Sequence, residues 1–257
     1  MDKLAYTALA GILQHGQERT RLSHQMANVT TPGFKKSSGG TTTFQKVAGD
    51  GVFDTRYQPV AATKNPVVLI SPGPVMETGN PYDISMGGAT VLGVQGADGN
   101  TAFTRRGDLR INAAGIVETG NGYPVLGEGG GPLVVPSGVR IYFSEDGGVF
   151  AANRDNREEQ PARVGQLMLR DASNERLVRR FDGFLEPIGR NGNGGDFDSG
   201  PEKVVIVSES LEGSNVTPVE VLTSLMEFNR SFETQIKVIK QISDLTEGGV
   251  DLMGLRS

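Results

Sequence analysis

The stretch from Thr217 to about Leu245 constrains this chain most, because it alone reads as a long helix. It opens Thr217-Pro218-Val219-Glu220, a helix start in which the threonine hydroxyl can accept from the Glu220 amide and the Glu220 carboxylate can reach back. Pro218 falls where no helical amide is needed. Val221, Leu225, Phe228, Phe232, Gln235, Ile239 and Ile242 then recur at alternating steps of four and three. All but Gln235 are apolar, which predicts a coiled-coil seam with one polar member. Leu222, Met226, Ile236 and Val238 widen the apolar surface, so more than one neighbour is expected. Such a helix draws its stability from packing rather than from its own propensity, so it needs a partner.

The N-terminal end carries a matching pattern. Leu4, Ala5, Ala8, Leu9, Ile12 and Leu13 form an apolar patch that Leu22, Met26 and Val29 resume, predicting a helix over about 3–28. Thr31-Pro32-Gly33-Phe34 ends it, because proline disfavours the helical region in the residue before it and glycine supplies a turn. Leu4–Leu13 does not read as a cleaved signal, since the polar run Gln14–Arg19 follows where a small-residue cleavage site would be needed.

Between these ends the chain changes character. With 36 glycines in 257 residues and short apolar runs recurring every eight to twelve residues, the central region predicts an antiparallel β domain. Expected strands are 82–86, 91–95, 101–105, 116–119, 140–143, 149–152, 163–170, 176–181 and 203–208, with turns at Ala97–Asn100, Asn112–Gly115, Thr119–Gly122, Glu145–Gly148 and Asp171–Asn174. Residues 35–75 are rich in Gly, Ser, Thr and Pro with scattered aromatics, and read as extended chain packed on something else. The expected fold is therefore mainly β: a glycine-rich antiparallel domain (76–210) inserted between an N-terminal helical segment (1–34) and a C-terminal one (211–257) that packs with it, with 35–75 as the connection.

Chemistry is sparse. No cysteine is present, which excludes disulfides and thiol catalysis. His15 and His24, nine residues apart, would fall on opposite faces of one helix and do not suggest a shared metal. Glu158/Glu159 and Asp196/Asp198 sit in charged or glycine-rich runs with no sign of a pocket, and the glycine clusters at 127–131 and 192–195 lack the Lys-Ser/Thr of a phosphate loop. Net charge is −5 with mixed signs, so no nucleic-acid footprint is expected, and no apolar run is long enough to cross a membrane. The pairs Arg105-Arg106 and Arg179-Arg180 read as solvated faces, and Arg106-Gly107-Asp108 as a strand turn rather than an adhesive tripeptide. No catalytic, cofactor or metal site is expected; residues alone point to a polymerising or partner-binding structural protein.

Three motifs go further. Ala27–Lys35 (ANVTTPGFK) resembles the N-terminal signature of bacterial flagellar rod and hook proteins. Glu212–Glu220 (EGSNVTPVE), with Arg230-Ser231-Phe232-Glu233, is similar to that family's C-terminal block, and Phe103–Leu109 (FTRRGDL) with Gly122–Gly127 (GYPVLG) to its central region. The Tyr82–Leu92 segment resembles the proximal-rod type more than the distal-rod type. The resemblance implies a basal-body rod subunit in the periplasmic span, exported through the flagellar type III apparatus, whose terminal helices form an inner tube around the export channel and whose partners are copies of itself and neighbouring rod proteins. It places the assembly interface at Leu4, Leu9, Ile12, Leu13, Leu22, Met26, Asn28, Pro32, Gly33 and Phe34, and at Asn215, Val221, Leu225, Phe228, Phe232, Ile236, Ile239 and Ile242. The alternatives are a distal-rod or hook-family subunit, or a secreted adhesive or carbohydrate-active β protein.

Overall fold

The computed structural model describes residues 16–38, 44–48, 55–59, 66–136, 138–153, 160–188 and 195–252, with Gly254. The chain divides into two compact units: Met1–Ala27 with Gly39–Lys64 and Thr217–Ser257, and Asn28–Ser38 with Asn65–Val216.

In the first unit, residues 16–27 form helix α1 and Pro218–Leu252 form helix α2, with an antiparallel hairpin of Phe44–Ala48 and Thr55–Pro59. That hairpin falls in the stretch expected to be merely extended. α2 has 35 residues and is about 52 Å long at 1.5 Å per residue. It begins at Pro218 as expected: the Thr217 carbonyl accepts from the Val221 amide (3.2 Å) and the Thr217 hydroxyl donates to the Glu220 carboxylate (3.4 Å). It runs past the expected end near Leu245, through Gly248-Gly249, and Gly254 follows with φ 65. Leu22 and Gln25 on α1 and Val221 on α2 are buried.

The second unit is antiparallel β. Its five-stranded sheet runs Leu169–Asp171, Thr90–Gln95, Thr101–Thr104, Leu185–Pro187, Leu177–Arg179. A three-stranded sheet joins Ala162–Gln166, Gly148–Asn153 and Val139–Phe143. Two-strand pairs link Ile206–Ser208 to Ile84–Met86, Ser210–Glu212 to Val75–Glu77, and Leu109–Ile111 to Val117–Thr119. Thr90–Gln95 is covered on both faces: Leu92 and Val94 enter the larger core with Ile84, Val125, Ile141, Val149 and Ile206, while Val91 joins Phe103, Val68 and Leu185 in a smaller one. Two-sided burial explains its unbroken apolar run.

Most expected strands are present, but 163–170 is two strands. Ala162–Gln166 pairs with Gly148–Ala151 and Leu169–Asp171 with Thr90–Leu92, so the chain changes sheets at Leu167, whose amide donates to the Gly147 carbonyl at 2.9 Å. A second change of partner occurs at Glu209 (φ 56), between Ile206–Ser208 and Ser210–Glu212. Short strands that each bond a different neighbour share one composition, so their breaks carry no local signal.

Candidate functional site: a buried ionic clasp

The three motifs that carry the family resemblance converge in the β unit. After α1, the Thr31 amide donates to the Asn28 carbonyl (3.2 Å), and Gly33 turns the chain in the left-handed region (φ 68). The Gly33 amide then donates to the Glu212 carbonyl at 2.7 Å. A Cβ on Gly33 would lie 2.1 Å from the Arg105 carbonyl oxygen, so only glycine brings the three backbones this close. This entry angle drives both Phe34 and Lys35 inward; they are buried, and the Arg179 guanidinium covers the Phe34 ring at 4.4 Å.

At the centre is one carboxylate between two cations. Glu212 Oε1 accepts from Lys35 Nζ (2.6 Å) and the Gly73 amide (2.8 Å), and Oε2 accepts from Arg105 Nε (2.7 Å). All three charged side chains are about as hidden as core aliphatics, at 1% exposure or less. Arg105 directs its remaining nitrogens at the carbonyls of Gly88 (2.7 Å), Thr90 (2.9 Å) and Met86, and Lys35 also donates to the Ser71 carbonyl (2.9 Å). Charges this deep persist because Lys35 Nζ and each nitrogen of the Arg105 guanidinium have at least one acceptor. Asn215 extends the network: its Oδ1 accepts from the Lys36 amide (2.6 Å), its Nδ2 donates to Leu69 and Ser71, and its amide donates to the Phe34 carbonyl (3.1 Å).

With two cations to one anion the cluster carries an excess positive charge. Burial, and secondarily Arg105, push the Lys35 ammonium down to about 8 from 10.5, against the opposing pull of Glu212. Between about pH 8 and 10.5 the unfolded chain therefore holds this proton more tightly than the folded chain. Stability rises with pH across that window, and below it, where both states are protonated, Lys35 adds no further pH dependence. Lys35→Met keeps the Glu212–Arg105 pair and is expected to flatten this rise, read as the difference between variant and parent in urea titrations at pH 8 and 10.5.

The clasp contains no nucleophile with a base, and no cluster of ligating side chains suited to a metal exists among the described residues. Its chemistry is cross-linking: it fastens 33–36, 71–73, 105 and 212–215 within one unit. The four points at which the chain passes between units, at 27/28, 38/39, 64/65 and 216/217, lie close in sequence to these segments.

Arg105 overturns the expectation of a solvated basic pair: the strand turns it inward to a carboxylate 107 residues away. Arg179 likewise is held by Phe34, the Gly183 carbonyl (2.9 Å) and the Lys35 carbonyl. Burial lowers the Arg179 guanidinium to about 10. Lys35, Arg105 and Glu212 were legible only as members of the TPGFK, FTRRGD and EGSNV motifs. Arg106 and Asp108 pair with each other, so the Arg-Gly-Asp side chains are engaged internally. Asp196 is tied to Arg170 at 2.8 Å.

Of the residues expected at an assembly surface, Leu4, Leu9, Ile12 and Leu13 lie outside the described residues, as do His15, Glu158, Glu159 and the side chain of Ile242. Gly33, Phe34 and Asn215 belong to the clasp, while Asn28 and Pro32 are half-buried in the turn leading to it. Leu22 and Val221 are buried; Met26, Leu225, Phe228 and Ile239 are half-buried; Phe232 and Ile236 are exposed. Phe228 and Phe232 stack with centroids 6.3 Å apart.

Residues 86–151, which include Arg105, match the family model described as flagellar hook protein FlgE/F/G D1 domain. Residues 207–252, which include Glu212 and α2, match the flagellar basal body rod FlgEFG protein C-terminal model. The chain is 33% identical over 246 residues to the flagellar basal-body rod protein FlgF of Salmonella typhimurium, covering 95% of each chain. It is 31% identical to FlgF of Escherichia coli, again over 95% of each, and 28% identical to FlgF of Caulobacter vibrioides over 99% of each. Identity at this level across nearly the whole of both chains, with Arg105 and Glu212 of the clasp inside the matched domains, shows that the chain belongs to the flagellar basal-body rod protein family, in its FlgF branch.

Proposed function

We infer that the chain is a structural subunit of the flagellar basal-body rod, at the proximal-rod position, and polymerises through its terminal helices into the axial shaft that surrounds the export channel. It acts by assembly and not by turnover, with copies of itself and neighbouring rod proteins as partners, after export through the flagellar type III apparatus with its N-terminus retained. The observation that carries this reading is α2. On a 35-residue helix, Val221, Leu225, Phe228, Gln235 and Ile239 are buried or half-buried along one seam, while Phe232 within that seam and Leu222, Met226, Ile236 and Val238 beside it are exposed. This second, exposed apolar surface is what neighbouring subunits would cover.

The test is a Leu225→Asp, Phe232→Asp double variant in cells that build flagella. Loss of hook–basal bodies and of motility is expected, with the β unit keeping its thermal transition. Normal motility would refute assembly through α2. Retained localisation together with ligand binding through the β unit would favour the adhesive reading instead.

A further inference from the structure

Asn215 stands at the end of the β unit, three residues before the first residue of α2, and ties the chain there to two other segments. Its Oδ1 accepts from the Lys36 amide at 2.6 Å, and its own amide donates to the Phe34 carbonyl at 3.1 Å. Its Nδ2 donates to the Leu69 carbonyl (3.1 Å) and to the Ser71 carbonyl (3.3 Å) and hydroxyl (3.0 Å). One carboxamide thus uses both its acceptor and its donor side. The segments it joins are those on which the chain passes to the helical unit: Lys36 is two residues from the 38/39 crossing, Leu69 four from the one at 64/65, and Asn215 one from the one at 216/217.

The first two of these segments hold each other without it. Ser37 and Val68 form an antiparallel bridge, flanked by bonds from the Ser38 amide to the Val67 carbonyl (2.8 Å) and from the Leu69 amide to the Lys36 carbonyl (2.9 Å). The Asn215 side chain adds the third segment, fastening the residues that lead into α2 to a pair already made. Its bonds are neutral and lie partly in water, so each adds little net stability. What they fix is position.

We propose that Asn215 is a positioning residue for assembly: by pinning the approach to α2 onto residues 36 and 69–71, it fixes the point from which the helix leaves the β unit. The inference rests on the rod-subunit reading. A small error at that point grows along α2, whose 35 residues span about 52 Å. A swing of about 10° at its base moves its far end by about 9 Å, a full helix-to-helix spacing of ~8–10 Å. Identical copies in a polymer make identical contacts, so each copy has to release α2 from the same place. Loss of the Asn215 ties therefore damages polymerisation more than folding.

The experiment compares Asn215→Ala with Gly79→Ala, a change beside the Val75–Glu77 strand where a new Cβ meets nothing within 4 Å, each in the full chain. Both purified variants are expected to lower the thermal transition of the β unit by about 2–8 °C. In flagellated cells only Asn215→Ala is expected to lose hook–basal bodies and motility. Asn215→Asp keeps the acceptor for the Lys36 amide and removes the donor to 69–71. It is expected to fold and to lose hook–basal bodies as well, which decides the matter should the alanine variant fail to fold. Parental numbers of hook–basal bodies in the Asn215→Asp cells, with the chain present in them, or an equal loss in Gly79→Ala cells, would overturn the positioning role and leave the rod-subunit reading intact. Absence of the parental chain from isolated basal bodies would sink both.

Discussion

Glu212→Gln is expected to destabilise the β unit by about 3–5 kcal/mol, the typical cost of removing one partner from a buried ion pair. Glutamine keeps the shape but leaves the Lys35 and Arg105 charges facing each other without an anion, both buried. At ~2–4 °C per kcal/mol for a unit of this size, the transition is expected to fall by about 6–20 °C. Adding Lys35→Met to Glu212→Gln is expected to recover part of that loss, because it removes one orphaned charge and frees only the Ser71 carbonyl. Arg105→Met is expected to recover less, because Arg105 also satisfies the carbonyls of Met86, Gly88 and Thr90. A Glu212→Gln variant with the parental transition would show that the clasp does not stabilise the fold.

Gly33→Ala is the other large effect, and Gly79→Ala is its matched control. The two glycines have nearly the same φ, 68 and 69, both in the left-handed range. At Gly79 nothing lies within 4 Å of a new Cβ, so alanine there meets only the left-handed strain of about 1–2 kcal/mol. At Gly33 the Cβ would meet the Arg105 carbonyl oxygen at 2.1 Å and the Arg106 amide nitrogen at 2.6 Å. Backbone cannot move aside as a flexible side chain can, so the 33–36 segment must lift from Glu212, taking the Gly33–Glu212 bond with it. A further cost of about 1–3 kcal/mol beyond that of Gly79→Ala is expected. Parallel thermal melts of the two variants measure the difference, and equal melting temperatures would refute the close-packed junction.

Both variants probe contacts that a reading of local pattern cannot reach. The strands expected at 91–95, 101–105 and 140–143 were legible because alternation and turn glycines act within a few residues. The break inside 163–170 was not, since Ala162–Gln166 and Leu169–Asp171 differ in partner rather than in composition. The hairpin Phe44–Ala48/Thr55–Pro59 was hidden for a related reason: its Gly-, Thr- and Pro-rich flanks carry no strong periodicity, yet the segments pair in register. α2 outran its expected end because two consecutive glycines weaken a helix without forbidding it.

The helix beginning at Thr217, its apolar repeat and its cap are written locally: steps of four and three and a proline at the first helical position suffice to specify them. The fate of the charges is not. Lys35 and Glu212 stand 177 residues apart, and Arg105 and Glu212 107 apart, so no local window shows that they share one desolvated site. A basic pair on a strand looks solvated until the fold supplies an acid opposite it. Whether a charge is exposed depends on what the rest of the chain places around it, and that is settled only when distant segments close on one another and exclude water.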